Sequence, residues 1–163
     1  MELPGIKAKS LQVGLPFNLG SLVFEANEAE QRAAWSLYVE MTTRVAIQSL
    51  NTDEGLLREA LNSLYAMFGL TRKILSEAGP TVAHGTESFG PVAIKILNEG
   101  LRPFTSKWHP LLADHEAKRP ADVPPLEHEH NWEHFWEMRE ELTKLQEQMR
   151  IYADMLAEIS GAK

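Results

Sequence analysis

Three of the chain's six histidines fall within seven residues, inside the acidic segment from Glu127 to Glu137. Imidazole nitrogens and carboxylate oxygens are the ligand types that zinc takes in catalytic sites. His130 and His134 are four residues apart, so on a helix they lie one turn apart on the same face. Both side chains could then bind one metal ion, with Glu133 activating a bound water. This spacing is the most direct indication of chemistry in the sequence.

Two resemblances follow from these residues. His130-Asn-Trp-Glu133-His134 matches the H-x-x-E-H pattern and resembles the inverted zincin peptidases over five residues. In that family the third metal ligand is a glutamate far downstream, whereas 29 residues follow His134 here. In length and helix number the chain also resembles the DinB-like metal-binding bundles, in which a histidine on helix two joins a His-x-x-x-His pair near the C-terminus. That resemblance implies a metal-dependent enzyme using His130 and His134. The second predicted helix has no histidine, so His84 or His109 would have to replace it.

The helical phase of the C-terminal segment favours a different role for these histidines. From Phe135 to Ile159 the apolar residues alternate spacings of three and four, which is a heptad pattern. With Phe135 at position a, His134 falls at g and His130 at c, outside the central seam. We therefore expect rim and surface histidines without a metal or cofactor, on one helix predicted from about Glu127 to Ser160.

The elements that position these residues are predicted to be helices. Apolar residues recur at spacings of three and four in four long segments, which predicts an all-α, four-helix up-down-up-down bundle over residues 26–163. Helix one begins at the N-cap signal Asn27 and runs to about Ser49. Helix two runs from Asp53 to Ala78 and ends at Gly79-Pro80. Its predicted cap is Asn51-Thr52-Asp53.

The third predicted helix is interrupted by proline. It is capped by Ser88 and keeps helical phase through Pro103, where a missing backbone donor predicts a kink near Gly100–Pro103. Pro110 is a second predicted break. A linker, Lys118 to Pro125, separates this helix from the last one.

Residues 1–25 form a separate apolar arm. Polar and apolar residues alternate there, and Asn18-Leu19-Gly20-Ser21 favours a turn, which predicts two short strands or an extended arm. An isolated two-stranded ribbon is marginal in water, so the arm packs either on its own bundle or on another subunit. In the second case its partner-binding residues are Leu15, Phe17, Leu22 and Phe24.

The segment from Arg102 to Pro110 is the other unusual stretch, because it sets cationic groups beside aromatic ones. Arginine and tryptophan are favoured at binding hot spots, which makes Arg102, Lys107, Trp108 and His109 candidate partner-binding residues. The alternative is local architecture, with Phe104 and Trp108 in the core and the cations paired to nearby acids.

Charge and composition narrow the function classes. The net charge is −7, and residues 114–147 hold ten acidic and four basic side chains, so nucleic-acid binding is disfavoured. The absence of cysteine excludes disulfides and thiol catalysis. The longest uncharged run, Ser10 to Phe24, is too short and too broken for a membrane span. With no secretory signal visible at the N-terminus, we expect a cytoplasmic protein without membrane contact.

The sequence contains no glycine-rich phosphate loop and no nucleophile elbow. We therefore expect a non-enzymatic module that binds other proteins or itself. In type it looks like accessory or regulatory subunits of bacterial multi-protein systems, including defence systems. The alternative is the DinB-like metal enzyme.

Overall fold

The computed structural model describes residues 10–44, 55–85 and 87–162. The chain is mostly helical and carries a two-stranded antiparallel hairpin at its N-terminal end. The elements are β1 (Leu11–Gly14), β2 (Ser21–Phe24), α1 (Glu28–Thr42), α2 (Leu57–Ala78), a 3-10 turn (Pro80–Val82), α3 (Phe89–Lys95), a π-helical segment (Ile96–Leu101), α4 (Arg102–Ala117), α5 (Pro125–His130) and α6 (Phe135–Ser160). In the described ranges, none of the helices has the length and apolar character needed to cross a membrane.

The predicted strands of the arm are present. Leu11 pairs with Phe24 and Val13 with Leu22, so these four apolar side chains share the inner face of the hairpin. That face joins the hydrophobic core, and β1 packs against α6. Of the two predicted placements, the structure therefore has the arm on its own helices.

Helix α1 begins at the predicted N-cap. The Asn27 side chain accepts from the Glu30 backbone N–H at 2.8 Å, and the Glu30 carboxylate accepts from the Asn27 N–H at 3.1 Å, completing a capping box. Helix α2 ends at Gly79, as predicted, with the left-handed φ of 81° that glycine tolerates.

The facing ends of these two helices differ from the prediction. Helix α1 ends at Thr42, so the prediction of a first helix reaching about Ser49 is wrong. Helix α2 begins at Leu57 with Leu56 at its N-cap, so the prediction of a second helix starting at Asp53 is also wrong. Residues 45–54 themselves, which include the predicted cap at residues 51–53, lie outside the described residues.

Helical backbone continues from α3 into α4 through the π segment, which ends just before Pro103, the proline at which the sequence predicts a kink. Pro103 cannot donate a backbone hydrogen bond to the preceding turn, and that turn belongs to the wider π segment. The second predicted break is wrong, because α4 passes through Pro110 and ends at Ala117.

The prediction of one continuous helix from Glu127 is also wrong. Helix α5 ends at His130, residues 131–134 form a turn, and α6 begins at Phe135. The turn buries the Trp132 indole against Trp108, with ring centroids 5.9 Å apart. Burying so large a side chain outweighs the helical preference of the surrounding residues. Beyond the turn, the predicted apolar stripe from Phe135 to Ile159 is buried along its whole length.

The Tyr152 hydroxyl is enclosed within this stripe without a hydrogen-bond partner among the described residues. Burial raises the pKa of its phenol, because the apolar surroundings disfavour the charged form. An unpaired buried hydroxyl costs free energy that phenylalanine does not. We expect Tyr152→Phe to raise the free energy of unfolding by about 1 kcal/mol, measured by urea denaturation.

Tyr65→Phe is the matched control for this substitution. The Tyr65 hydroxyl is part-buried and donates to the Thr105 carbonyl at 3.4 Å, so its removal should bring no gain. A clear loss of stability in Tyr152→Phe would mean that the buried hydroxyl is hydrogen-bonded in solution.

Candidate interaction surface

The residues predicted to bind a partner from the hairpin are packed within the chain. Phe24 is 2% exposed, while Leu15, Phe17 and Leu22 are half-buried against the core. The Phe17 N–H donates to Gln148 Oε1 on α6 at 2.6 Å. Phe24 therefore offers no surface to a partner while the hairpin stays in place.

The aromatic–cationic segment of α4 is built into local contacts. Trp108 is fully buried, and its indole N–H donates to the Glu141 carboxylate. Lys107 lies over the Trp108 ring at 4.5 Å and bonds Glu141 at 2.7 Å; this hydrogen bond raises the pKa of the Lys107 ammonium. Trp108 therefore lies in the core, and Lys107 pairs with an acidic side chain of α6.

Arg102 and His109 are exposed but also engaged. The Arg102 guanidinium lies 4.9 Å from the Phe68 ring and bonds Asn98 at 3.0 Å. His109 meets the Tyr65 ring edge-on at 5.3 Å and lies 3.4 Å from the Arg58 guanidinium. Both side chains therefore serve contacts within the chain.

The predicted metal pair does not lie on one helix. His130 ends α5 and packs on Phe135, with ring centroids 4.5 Å apart. His134 lies beyond the turn, where its Nδ1 bonds Glu137 at 3.1 Å; this bond lowers the pKa of the Glu137 carboxyl. Within the described ranges, no cluster of three or more histidine and acidic side chains could hold a metal ion. The heptad positions assigned to the two histidines also fail, because the turn breaks the helical phase.

Sequence reasoning missed a pair of stacked histidines. The rings of His115 and His128 lie parallel with centroids 3.8 Å apart, and each Nε2 lies 2.7 Å from the other residue's backbone carbonyl. Because a carbonyl only accepts, both Nε2 atoms carry the proton and donate. Trp132 stacks on His115 at 5.4 Å. These contacts join α5 to the C-terminal end of α4.

A cleft of about 300 Å³ lies beside this stack. Arg58 and Glu116 line it but form an ion pair with each other. Glu129 is buried there and accepts from the Leu57 N–H at 2.7 Å, which caps the start of α2 from a distant helix. Burial raises the pKa of the Glu129 carboxyl, and the backbone donors at Leu57 and Arg58 oppose that shift. The polar groups of the cleft therefore hold the fold together.

A second buried glutamate, Glu30, caps the start of α3. Glu30 is 1% exposed, and its Oε2 accepts from the Phe89 N–H at 2.9 Å. Its Oε1 lies 2.9 Å from His84 Nε2. The predicted cap, Ser88, makes no side-chain cap bond, because its hydroxyl turns back to the Gly85 carbonyl. Ser88 is therefore the N-cap residue of α3, as predicted, but its side chain does not supply the capping bond.

A surface depression with both apolar and charged lining lies between α1 and α2, and we call it the α1–α2 groove. Trp35 is 48% exposed and Val39 41% exposed, one turn apart on α1. The Trp35 ring stacks on Tyr38 with centroids 5.6 Å apart. The groove has a volume of about 350 Å³ and is lined by Trp35, Ser36, Val39, Glu40, Leu70, Lys73, Ile74 and Glu77.

The groove was not predicted from the sequence, although one signal was present. Trp35 falls outside the apolar stripe of α1, whose buried positions include Ala34, Leu37 and Met41. A tryptophan outside the buried stripe of an amphipathic helix must face solvent or a partner. Its neighbours Leu70 and Ile74 could not be assigned, because they depend on how α2 packs beside α1.

The fold and the groove together define a helical protein with an N-terminal hairpin and an exposed aromatic depression. Comparison with known proteins found no matching family model, no matching curated protein and no matching solved structure.

Proposed function

We propose that this chain is a non-enzymatic protein–protein interaction module that binds its partner through the α1–α2 groove. We further propose that it serves as an accessory or regulatory subunit of a bacterial multi-protein system. The observation that carries the proposal is the exposure of Trp35 beside Val39, Leu70 and Ile74.

The groove has the composition of a binding hot spot. A single exposed apolar side chain is ordinary on a protein surface, but here two, Trp35 and Val39, share one depression with two half-buried apolar side chains of α2. Tryptophan and tyrosine lead the residues whose truncation weakens protein complexes. The charged side chains of Glu40, Lys73 and Glu77 border the apolar lining, which matches the polar rim around the apolar centre of an interface.

The proposal also includes the arrangement of the long helices. Helix α1 packs against α2 and α6, and α2 packs against α4. These neighbours support a four-helix up-down bundle formed by α1, α2, the α3–α4 stretch and α6. In such a bundle two adjacent helices leave a shallow outer groove, and a helix of another chain can lie in it.

Site-specific photo-crosslinking tests the function. A benzophenone side chain replaces Ser36 inside the groove, and in a second version it replaces Thr143 on the exposed face of α6. In cells of the source organism we expect a discrete covalent adduct from position 36 and none from position 143. Trp35→Ala should remove the adduct, because it removes the largest apolar contact.

Trp136→Ala is the matched control, since Trp136 is 66% exposed outside the groove. Loss of the adduct in both tryptophan variants, or equal adducts from positions 36 and 143, would refute a groove-specific interaction. Thermal melts of each variant separate lost binding from lost folding.

A further inference from the structure

We infer that the partner in the α1–α2 groove is a second copy of this chain, bound through the same groove across a two-fold axis. The inference rests on the proposed function and adds the identity of the partner. A two-fold interface brings one surface against itself, so the surface must be self-complementary in charge as well as shape.

The groove carries both signs of charge at a suitable spacing. Leu70, Lys73, Ile74 and Glu77 recur at spacings of three and four, so they share one face of α2. If two α2 helices cross antiparallel near Leu75, Lys73 of one copy lies opposite Glu77 of the second copy. The same pair repeats on the other side of the axis. Trp35 of each copy then covers the neighbouring apolar side chains.

Lys73 and Glu77 are available for this pairing. Both are exposed, and neither forms an ion pair among the residues that the structure describes. Elsewhere, the closed ion pairs at this spacing include Glu28–Arg32, Glu40–Arg44 and Asp114–Lys118, in which the acid comes first. In α2 the base comes first, which is the weaker order within one helix. An ion pair between Lys73 and Glu77 within one helix would therefore be weak, so little stabilisation is lost when these side chains pair between copies instead.

The charge of the whole chain is compatible with self-association through this surface. Two chains of net charge −7 repel each other, and the penalty is smallest where the contact surface is locally neutral. In the groove, Glu40 is balanced by Arg44 at 3.1 Å, and Lys73 balances Glu77. A groove in which apolar side chains lie beside balanced charges fits a second copy of this acidic chain.

A charge-swap series on the full-length chain tests the inference by sedimentation equilibrium. We expect the wild-type chain to dimerise. Lys73→Glu and Glu77→Lys should each raise the dimer dissociation constant at least about tenfold, because like charges then face each other twice. The double variant should dimerise again, and an equimolar mixture of the two single variants should form a heterodimer. Lys95→Glu, the same change on an exposed lysine of α3, should leave the constant unchanged.

The remaining outcomes contradict self-association, or both self-association and the interaction function. A monomeric wild-type chain, or single variants that neither dissociate nor recover on mixing, would overturn the inference. If the chain is monomeric while position 36 still crosslinks to a different protein, self-association fails and the interaction function stands. If the chain is monomeric and position 36 gives no adduct, both proposals fail.

Discussion

Replacing Glu30 with alanine should lower the free energy of unfolding by about 3 kcal/mol or more, which is among the largest effects expected of a single substitution in this chain. The substitution removes the acceptor of a hydrogen bond that joins α1 to the start of α3. The Phe89 N–H would lose its acceptor while buried, and an unsatisfied buried donor costs about 1–3 kcal/mol. The Asn27 capping box would lose its reciprocal bond, and a cavity would remain.

Urea denaturation measures this loss, and Glu28→Ala is its control. Glu28 lies in the same helical turn but pairs with Arg32 on the surface, where ion pairs contribute little. We expect Glu28→Ala to change stability by less than about 1 kcal/mol. Glu30→Gln should lie between the two, because the amide oxygen still accepts one bond but carries no charge. Equal effects of Glu28→Ala and Glu30→Ala would show that the Glu30–Phe89 bond does not stabilise the fold.

Substituting Gly100 with alanine should destabilise the protein by about 1–3 kcal/mol, even though alanine is the better helix former. A Cβ atom at Gly100 would lie 2.7 Å from Phe17 Cγ and closer still to two further atoms of that ring. The ring cannot move away easily. The Phe17 N–H is bonded to Gln148, and its backbone already holds a left-handed φ of 59°, which is unusual for a bulky residue.

Gly69→Ala and a double-mutant cycle isolate this overlap. A Cβ at Gly69 in α2 would meet only Arg72 Nη2, at 3.9 Å, so alanine there should stabilise by up to about 1 kcal/mol. Phe17→Ala should remove most of the cost of Gly100→Ala, giving a coupling energy of about 1 kcal/mol or more in thermal or urea unfolding. Additive effects would mean that the hairpin turn does not lie against the π segment in solution.

The elements that were predicted correctly depend on local patterns. The α6 stripe repeats every three or four residues, and such a repeat selects one helix face whatever the helix packs against. Asn27 and Gly79 mark helix ends through hydrogen bonds and dihedral angles within their own turns. The hairpin is one of the two forms predicted for the arm, from alternating residues around a glycine-containing turn.

The errors arise where a distant side chain overrules a local preference. The helical pattern from Glu127 onward is genuine, but Trp132 is buried between Trp108 and His115, and the chain turns there. Ser88 is a good local cap, yet Glu30, 58 residues earlier, supplies the acceptor. Neither partner can be found without knowing which helices are neighbours.

Local patterns therefore predict the buried stripe of α6, the start of α1, the end of α2, and an arm that is either extended or paired as two short strands. Periodicity and capping act within one or two turns, so they can be read along the chain. The two remote glutamate caps, the stacked histidines and the neighbours of Trp35 in the α1–α2 groove depend on how the helices pack. Those features require side chains from separate helices to approach within a few ångströms, and that distance is set by the packing of the whole core.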